Sequence, residues 1–218
     1  MMKAVIFDMD CVIIDSEPMH LDVDIKTMAY FGFNITGKEL EKYVGMTSPE
    51  MWRDIRSEYN IEQSIEEIIN YQLERKVNII RDLSIEPIEG IRELLFELKS
   101  HGIPIAIASS SARRFIEEVL RKFDLSHYFQ CIASGEEVER GKPAPDVYIE
   151  AAKELRVHPS DCIVIEDSRN GVRAAKNAGM KCIGYQNINS GNQDLSEADS
   201  IVHGITEINI KDLISEEE

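Results

Sequence analysis

Two aspartates two positions apart, Asp8 and Asp10, close a short apolar run at residues 4–7. Residues two apart in extended chain point the same way, so both carboxylates can converge at the carboxyl end of one strand. Carboxylates that close repel each other, and a cation or a shared proton must offset the cost. Three other stretches carry groups suited to such a place: Ser109-Ser110-Ser111, Lys142 within Gly141-Lys-Pro-Ala-Pro-Asp146, and Glu166-Asp167-Ser168. Asp8, Asp10, Glu166 and Asp167 are hard oxygen donors of the kind Mg²⁺ takes alongside retained waters. The Ser109 hydroxyl and the Lys142 ammonium suit phosphoryl oxygens. Together they describe phosphoryl transfer by positioning and charge stabilisation.

Each stretch also has an ordinary role open to it. Acids at a strand end can be solvated, and serines after a strand cap the next helix, as Ser111 can here. Lys-Pro is a common turn with the lysine in water. Asp167 or Ser168 can cap the helix beginning near Arg169.

The elements that would position these groups alternate. Short apolar runs at 4–7, 103–108, 130–133, 162–165 and 181–185 read as buried strands, with one more at 200–202. Between them lie helical patterns at 88–100, 113–123, 145–155 and 169–178, and a closing helix at 206–214. Such alternation predicts a doubly wound parallel sheet with helices on both faces. The first strand is separated from the rest by an all-helical stretch. Leu21, Ile25, Met28 and Ala29 recur at helical spacing over 18–31, and Thr36 with Glu39 forms a capping-box pattern. Ser48-Pro49-Glu50 opens a helix carrying Met51, Trp52 and Ile55, and Ser64 with Glu67 opens a long one. The expected organisation is an α/β core of residues 1–15 and 85–218, interrupted by a helical segment of 16–84. The loops at 135–144 and 187–196 are irregular, and the acidic end at 215–218 reads as a solvated tail.

The 218 residues suit one large domain or a core with a smaller insertion, and 43% hydrophobic with 29% charged residues is a globular composition. A net charge of -16 argues against a nucleic-acid backbone as partner. No apolar run is long enough to span a bilayer, and the N-terminus does not read as a signal peptide. Cys11, Cys131, Cys162 and Cys182 form no metal spacing and read as buried reduced thiols, so a cytoplasmic location is the default.

These residues, in this order, resemble the haloacid dehalogenase (HAD) superfamily of phosphotransferases. The likeness is to the subgroup with a helical cap inserted after the first motif, which includes β-phosphoglucomutase and many small-molecule phosphatases. It covers nearly the whole chain: Asp8-Met-Asp10 followed by Asp15-Ser-Glu17; Ala108-Ser109-Ser110; Lys142-Pro-Ala-Pro-Asp146; and Ile165-Glu166-Asp167-Ser168 leading to Asn170-Gly171. The resemblance implies Asp8 as nucleophile and Asp10 as general acid and base. It implies Mg²⁺ held by the Asp8 carboxylate, the Asp10 main-chain carbonyl and Asp167, with Glu166 in or next to the ligand shell. Ser109, Ser110 and Lys142 would hold the phosphoryl group, His20 and Arg113 would contact substrate, and the helical segment would close over the site. An aspartate at position 10 points away from dehalogenase and phosphonoacetaldehyde hydrolase chemistry.

The resemblance also implies two acceptors for the phosphoryl group. Water makes the chain a phosphatase of small phosphorylated metabolites such as sugar phosphates; a second sugar hydroxyl makes it a mutase. The mutase pattern carries a lysine before Gly45, an arginine three residues after it, and a lysine three residues after the core serine. This chain has Val44, Ser48 and Ala112 there. Each charge-assisted phosphate contact is worth roughly 1.5–3 kcal/mol, so the phosphatase is the favoured expectation. A non-catalytic binding protein on the same fold is the third, set against an intact Asp8, Asp10, Ser109, Lys142 and Asp167. A monomer is the expected state. Cys11 stands where the family has glycine, in a turn that suits unusual backbone angles.

Overall fold

The computed structural model describes residues 2–43 and 46–214. Six strands form one parallel sheet: β1 (Ala4–Phe7), β2 (Ile105–Ser109), β3 (Cys131–Ser134), β4 (Cys162–Glu166), β5 (Lys181–Tyr185) and β6 (Ser200–Val202). Their order is β3-β2-β1-β4-β5-β6, so β1 is central and the chain leaves it in opposite directions on its two sides. Ligands of open α/β sheets bind at such a switch point, beyond the carboxyl ends of the strands.

Four helices follow β1: α1 (Glu17–Tyr30), α2 (Gly37–Leu40), α3 (Ser48–Tyr59) and α4 (Ile65–Asp82). The remaining ones are α5 (Ile91–Ser100), α6 (Arg113–Lys122), α7 (Asp146–Leu155), α8 (Arg169–Asn177) and α9 (Ile210–Ile214). The central strands β1, β2 and β4 bury both faces, and their side chains alternate between two layers. Val5, Phe7, Ile105 and Ile107 pack with Leu94, Leu95, Leu98, Phe115 and Ile116 of α5 and α6. Ala4, Ile6, Ala106 and Ala108 pack with Tyr148, Ala151 and Ala152 of α7 and with Val172 and Ala175 of α8. A separate apolar cluster joins α1 to α4 through Met28, Leu40, Trp52, Ile55 and Ile68. Bidentate hydrogen bonds from Arg81 to Glu118 tie the end of α4 to α6 (2.9 and 3.2 Å).

Several boundaries differ from expectation for identifiable reasons. β2 begins at Ile105 because Pro104 has no N–H to give the ladder; its carbonyl instead accepts from the Val5 N–H. α5 begins at Ile91, after Gly90 at φ 88, and a Cβ there would press on Thr206. The start expected at 206 is a 3₁₀ turn, Ile205–Glu207, and α9 follows it. The cap of α3 is Thr47, with Ser48 already helical; Thr47 N–H and Oγ both donate to Glu50. On α1 the buried residues are Met19, Val23, Asp24, Thr27 and Met28, while Leu21 and Ala29 are exposed. Two polar residues thus occupy the stripe where apolar ones are expected. All four cysteines are free thiols. No helix among the described residues is long and apolar enough to cross a membrane. Val44, Gly45 and the 215–218 tail lie outside the described residues.

Candidate active site

Strand register assembles the site. Phe7 pairs with Ile107 on one side and Ile165 on the other, so the residues after β1 emerge between the ends of β2 and β4. The Asp8 N–H continues this ladder to the Ile165 carbonyl at 3.0 Å. Lys142 arrives from the loop before α7. Its ammonium donates to Asp8 Oδ1 and Glu166 Oε1, both at 2.7 Å, and to the Ala108 carbonyl at 3.2 Å. All three donors of the lysine are thereby used.

Glu166 is fully engaged by the protein. Its Oε1 accepts from Lys142 and from the Tyr148 hydroxyl (3.2 Å), and its Oε2 from the Ser168 N–H (2.6 Å) and Oγ (3.0 Å). The carboxylate sits where a side chain on Gly171 would be. Ser168 caps α8 by accepting from the Gly171 N–H at 3.0 Å. Asp167 Oδ2 accepts from the Ser190 hydroxyl at 2.5 Å.

Oxygens of Asp8, Glu166 and Asp167, all buried, lie within 4.8 Å of one another. Three carboxylates therefore face one ammonium. Burial, joined by the Glu166 and Asp10 charges and opposed by Lys142, pushes Asp8 up to about 7. Burial and the Glu166 and Asp8 charges push Asp167 well above the usual range. A divalent cation would supply the missing charge, and the donor set is the hard-oxygen kind that fits Mg²⁺. With Glu166 saturated by protein donors, Asp8 and Asp167 are the side chains with capacity left for an ion.

Asp10 points away from this cluster. Its Oδ1 accepts from Ser16 Oγ (2.6 Å) and His20 Nε2 (2.7 Å), and its Oδ2 from Ser111 Oγ (2.7 Å) and Ser109 Oγ (3.3 Å). Burial opposes its charge, but His20 and the Ser16 and Ser111 hydroxyls outweigh it and hold the carboxyl well below the usual range. A metal role for Asp10 is thus left to its main-chain carbonyl. Ser111 does not cap α6, whose first residue follows Ala112 without a side-chain cap. The hydroxyl serves Asp10 instead.

A cavity of about 470 Å³ lies over these groups, lined by Asp8, Asp10, His20, Ser109, Ser110 and Lys142 and, from the helical segment, by Glu17, Leu21, Asp24, Tyr43, Met51 and Lys76. Burial, aided by the Asp10 and Asp24 charges and opposed by His20 and Lys76, raises the Glu17 carboxyl. Arg113 is the one expected site residue that does not reach the cavity. Its guanidinium is held by both oxygens of Glu137 and by the Ile132 carbonyl (2.6 Å), over a shallow groove beside β3. The N-terminus of α6 turns it outward.

Cys11 adopts φ 56, the left-handed region that the position was expected to need. Its carbonyl accepts from Asn187 Nδ2 at 2.9 Å, and that amide also bonds Asp15 at 2.6 Å. Cys11 is 2% exposed, and burial with the Asp167 and Asp10 charges pushes its thiol far up. Sequence reasoning missed Ser16, Asn187 and Ser190 as supports, and Asp24 as part of the wall. Only Ser16 carried a signal, its proximity to Asp10.

At its switch point the central parallel sheet thus carries a buried lysine held between two carboxylates, with a third carboxylate beside them. The sequence family described as haloacid dehalogenase-like hydrolase matches residues 5–185. The chain belongs to that family. It is 35% identical over 182 residues to a phosphorylated carbohydrates phosphatase of Thermotoga maritima, covering 84% of each chain. It is 32% identical over 216 residues to hexitol phosphatase B of Escherichia coli, covering 97% of this chain and 96% of that one. It also matches a bifunctional riboflavin kinase/FMN phosphatase of Arabidopsis thaliana at 32% identity over 210 residues, spanning 55% of that protein's length. Among solved structures, a β-phosphoglucomutase of Clostridium difficile superposes with a TM-score of 0.85 at 28% identity, covering 98% of this chain and 96% of that one.

Proposed function

We propose that this chain is a Mg²⁺-dependent phosphohydrolase of small phosphorylated metabolites, sugar phosphates first among them, working through an aspartyl-phosphate on Asp8. The observation that carries the reading is Lys142 bridging Asp8 and Glu166 at 2.7 Å beside Asp167, beneath a cavity large enough for a metabolite. In the first half-reaction an Asp8 oxygen bonds to phosphorus as the ester P–O bond breaks, and Asp10 gives its proton to the leaving oxygen. In the second, Asp10 takes a proton from water as that water bonds to phosphorus and the Asp8–phosphorus bond breaks. The donors around Asp10 favour its charged state, the one that the second step requires; the proton that it passes to the leaving oxygen in the first step arrives with the phosphate ester, entering as its monoanion. Lys142, exchanging its contact with the Ala108 carbonyl, and Ser109, exchanging its 3.3 Å contact with Asp10, are assigned to the phosphoryl oxygens, with Ser110 beside them; His20 orients Asp10 through its 2.7 Å contact. Asp8 and Asp167 would hold Mg²⁺, with Glu166 fixing Lys142; once bound, the ion supplies positive charge against the phosphoryl oxygens. In this reading residues 1–15 and 85–218 are the core and 16–84 a cap that excludes bulk water.

The relatives that act as phosphatases support this reading, and the likeness to β-phosphoglucomutase supports a mutase as the second. Ser48 in place of the mutase's cationic residue weighs toward the phosphatase. The test is phosphate release from a panel of sugar phosphates and nucleotides with Mg²⁺. Release from the sugar esters is expected. No release from any member would overturn the phosphatase reading, and robust conversion of β-glucose 1-phosphate to glucose 6-phosphate would establish the mutase.

A further inference from the structure

α1 presents one stripe to the cavity, Glu17, His20, Leu21 and Asp24, at helical spacings of i, i+3, i+4 and i+7. Asp24 is the outlier. It is only 8% exposed, at a place an apolar side chain would fill at less cost. A carboxylate offers about four acceptor sites. Gln72 of α4, itself buried, fills one by donating Nε2–H to Asp24 Oδ1. No other protein donor reaches Asp24 among the described residues, and the residue lines the cavity. Its unused acceptor capacity is therefore available to whatever occupies that space.

We propose that Asp24, oriented by Gln72, accepts a hydrogen bond from a hydroxyl of the leaving group, and that the substrate is the monophosphate ester of a polyhydroxylated chain, uncharged at its far end. The proposal rests on the phosphohydrolase reading and names the substrate class for that site. A second phosphate at this end would meet the carboxylates of Asp24 and Glu17, with Lys76 the opposing cation on α4. Hydroxyls supply the donors that Asp24 lacks, while Leu21, Leu40 and Met51 cover the carbon chain. Asp24 is a specificity residue here, one turn of α1 beyond His20, which is the residue of that stripe that contacts Asp10.

Steady-state kinetics with Mg²⁺ test this, comparing sorbitol 6-phosphate and glucose 6-phosphate with p-nitrophenyl phosphate for the wild type, Asp24→Asn, Asp24→Leu and Gln72→Leu. The ratio of kcat/KM for the polyol esters to that for p-nitrophenyl phosphate should fall at least tenfold in Asp24→Leu, as expected for a lost charge-assisted hydrogen bond. The fall should be carried by KM and be smaller in Asp24→Asn. Free sorbitol should inhibit these variants more weakly by a similar factor, while inhibition by inorganic phosphate does not follow it. That last contrast separates ligand reading from a purely structural Asp24–Gln72 link. Asp24→Asn, which keeps size and the Gln72 contact, serves if Asp24→Leu does not fold. A ratio held within twofold in both Asp24→Asn and Gln72→Leu overturns the proposal and leaves the phosphohydrolase reading standing. So does a wild type that cleaves p-nitrophenyl phosphate and no polyol ester. A wild type inert toward every ester overturns that reading and the proposal with it.

Discussion

Gly171→Ala is a conservative change that this structure makes severe. In an ordinary helix interior, alanine is favoured over glycine by about 0.8–1 kcal/mol. Here the added methyl overlaps the Glu166 carboxylate, which lies against the Gly171 backbone. Moving that carboxylate disturbs its hydrogen bonds from Lys142, Tyr148 and both donors of Ser168. It also leaves Lys142, 6% exposed, without one of its two anionic partners. Breaking a buried pair from one side costs about 3–5 kcal/mol, so the net loss should be about 2–4 kcal/mol. For a chain of this size each kcal/mol moves Tm by roughly 2–4 °C, which gives a fall of roughly 5–15 °C. With the lysine displaced, phosphate release should drop by about 10²-fold or more, the scale of losing one transition-state donor. Thermal unfolding and single-substrate kinetics on the same preparation measure both. A Tm at or above the wild type with turnover intact would refute the claim that Glu166 fills this space to fix Lys142.

The raised Asp8 carboxyl predicts proton–metal competition. Because its folded value, about 7, lies above 3.8, the metal-free protein binds more protons than the unfolded chain and loses stability as pH rises between them. Calorimetric Mg²⁺ affinity should therefore fall by about tenfold per unit below pH 7, and Mg²⁺ should raise Tm more at pH 8 than at pH 6; a pH-independent affinity would contradict this. Glu118→Gln should cost about 1 kcal/mol in urea unfolding at pH 7, since its arginine partners are largely exposed. Arg81 and Arg121 hold Glu118 down to about 2 against its burial, so the deficit should persist above pH 4.5 and vanish as pH falls through 2. Cys11→Gly should keep activity and stay within about 1 kcal/mol of the wild type, relief at φ 56 offsetting the lost thiol packing. Peroxide should then affect both proteins equally, and inactivation of the wild type alone would show Cys11 to be a redox site.

The order of strands and helices was legible because buried parallel strands are continuous apolar runs, and Asp8, Lys142, Glu166 and Asp167 stand directly beside such runs or in the stiff loop between them. The supporting shell was not. Ser190 reaches Asp167 from 23 positions away, and Asn187 reaches Asp15 from 172 positions away, through a loop with no periodic signal. Ser111 read as a helix cap because local chemistry favours that role, yet it bonds Asp10 across 101 residues. Arg113 misled in the opposite sense: position 113 is adjacent in sequence to the site, but rotation of α6 gives its side chain to Glu137. Asp24 was hidden because the spacing of Leu21, Ile25, Met28 and Ala29 marked a different inner face for α1 from the one it buries, which is Met19, Val23, Asp24, Thr27 and Met28.

The central claim is that Asp8 carries the phosphoryl group. Rapid acid quench of the enzyme with Mg²⁺ and a labelled sugar phosphate, followed by peptide mass analysis, tests it directly. The account predicts an added phosphoryl group on the peptide containing Asp8, formed before steady-state release and absent, with all turnover, in Asp8→Asn. Phosphate release that continues in Asp8→Asn would contradict it.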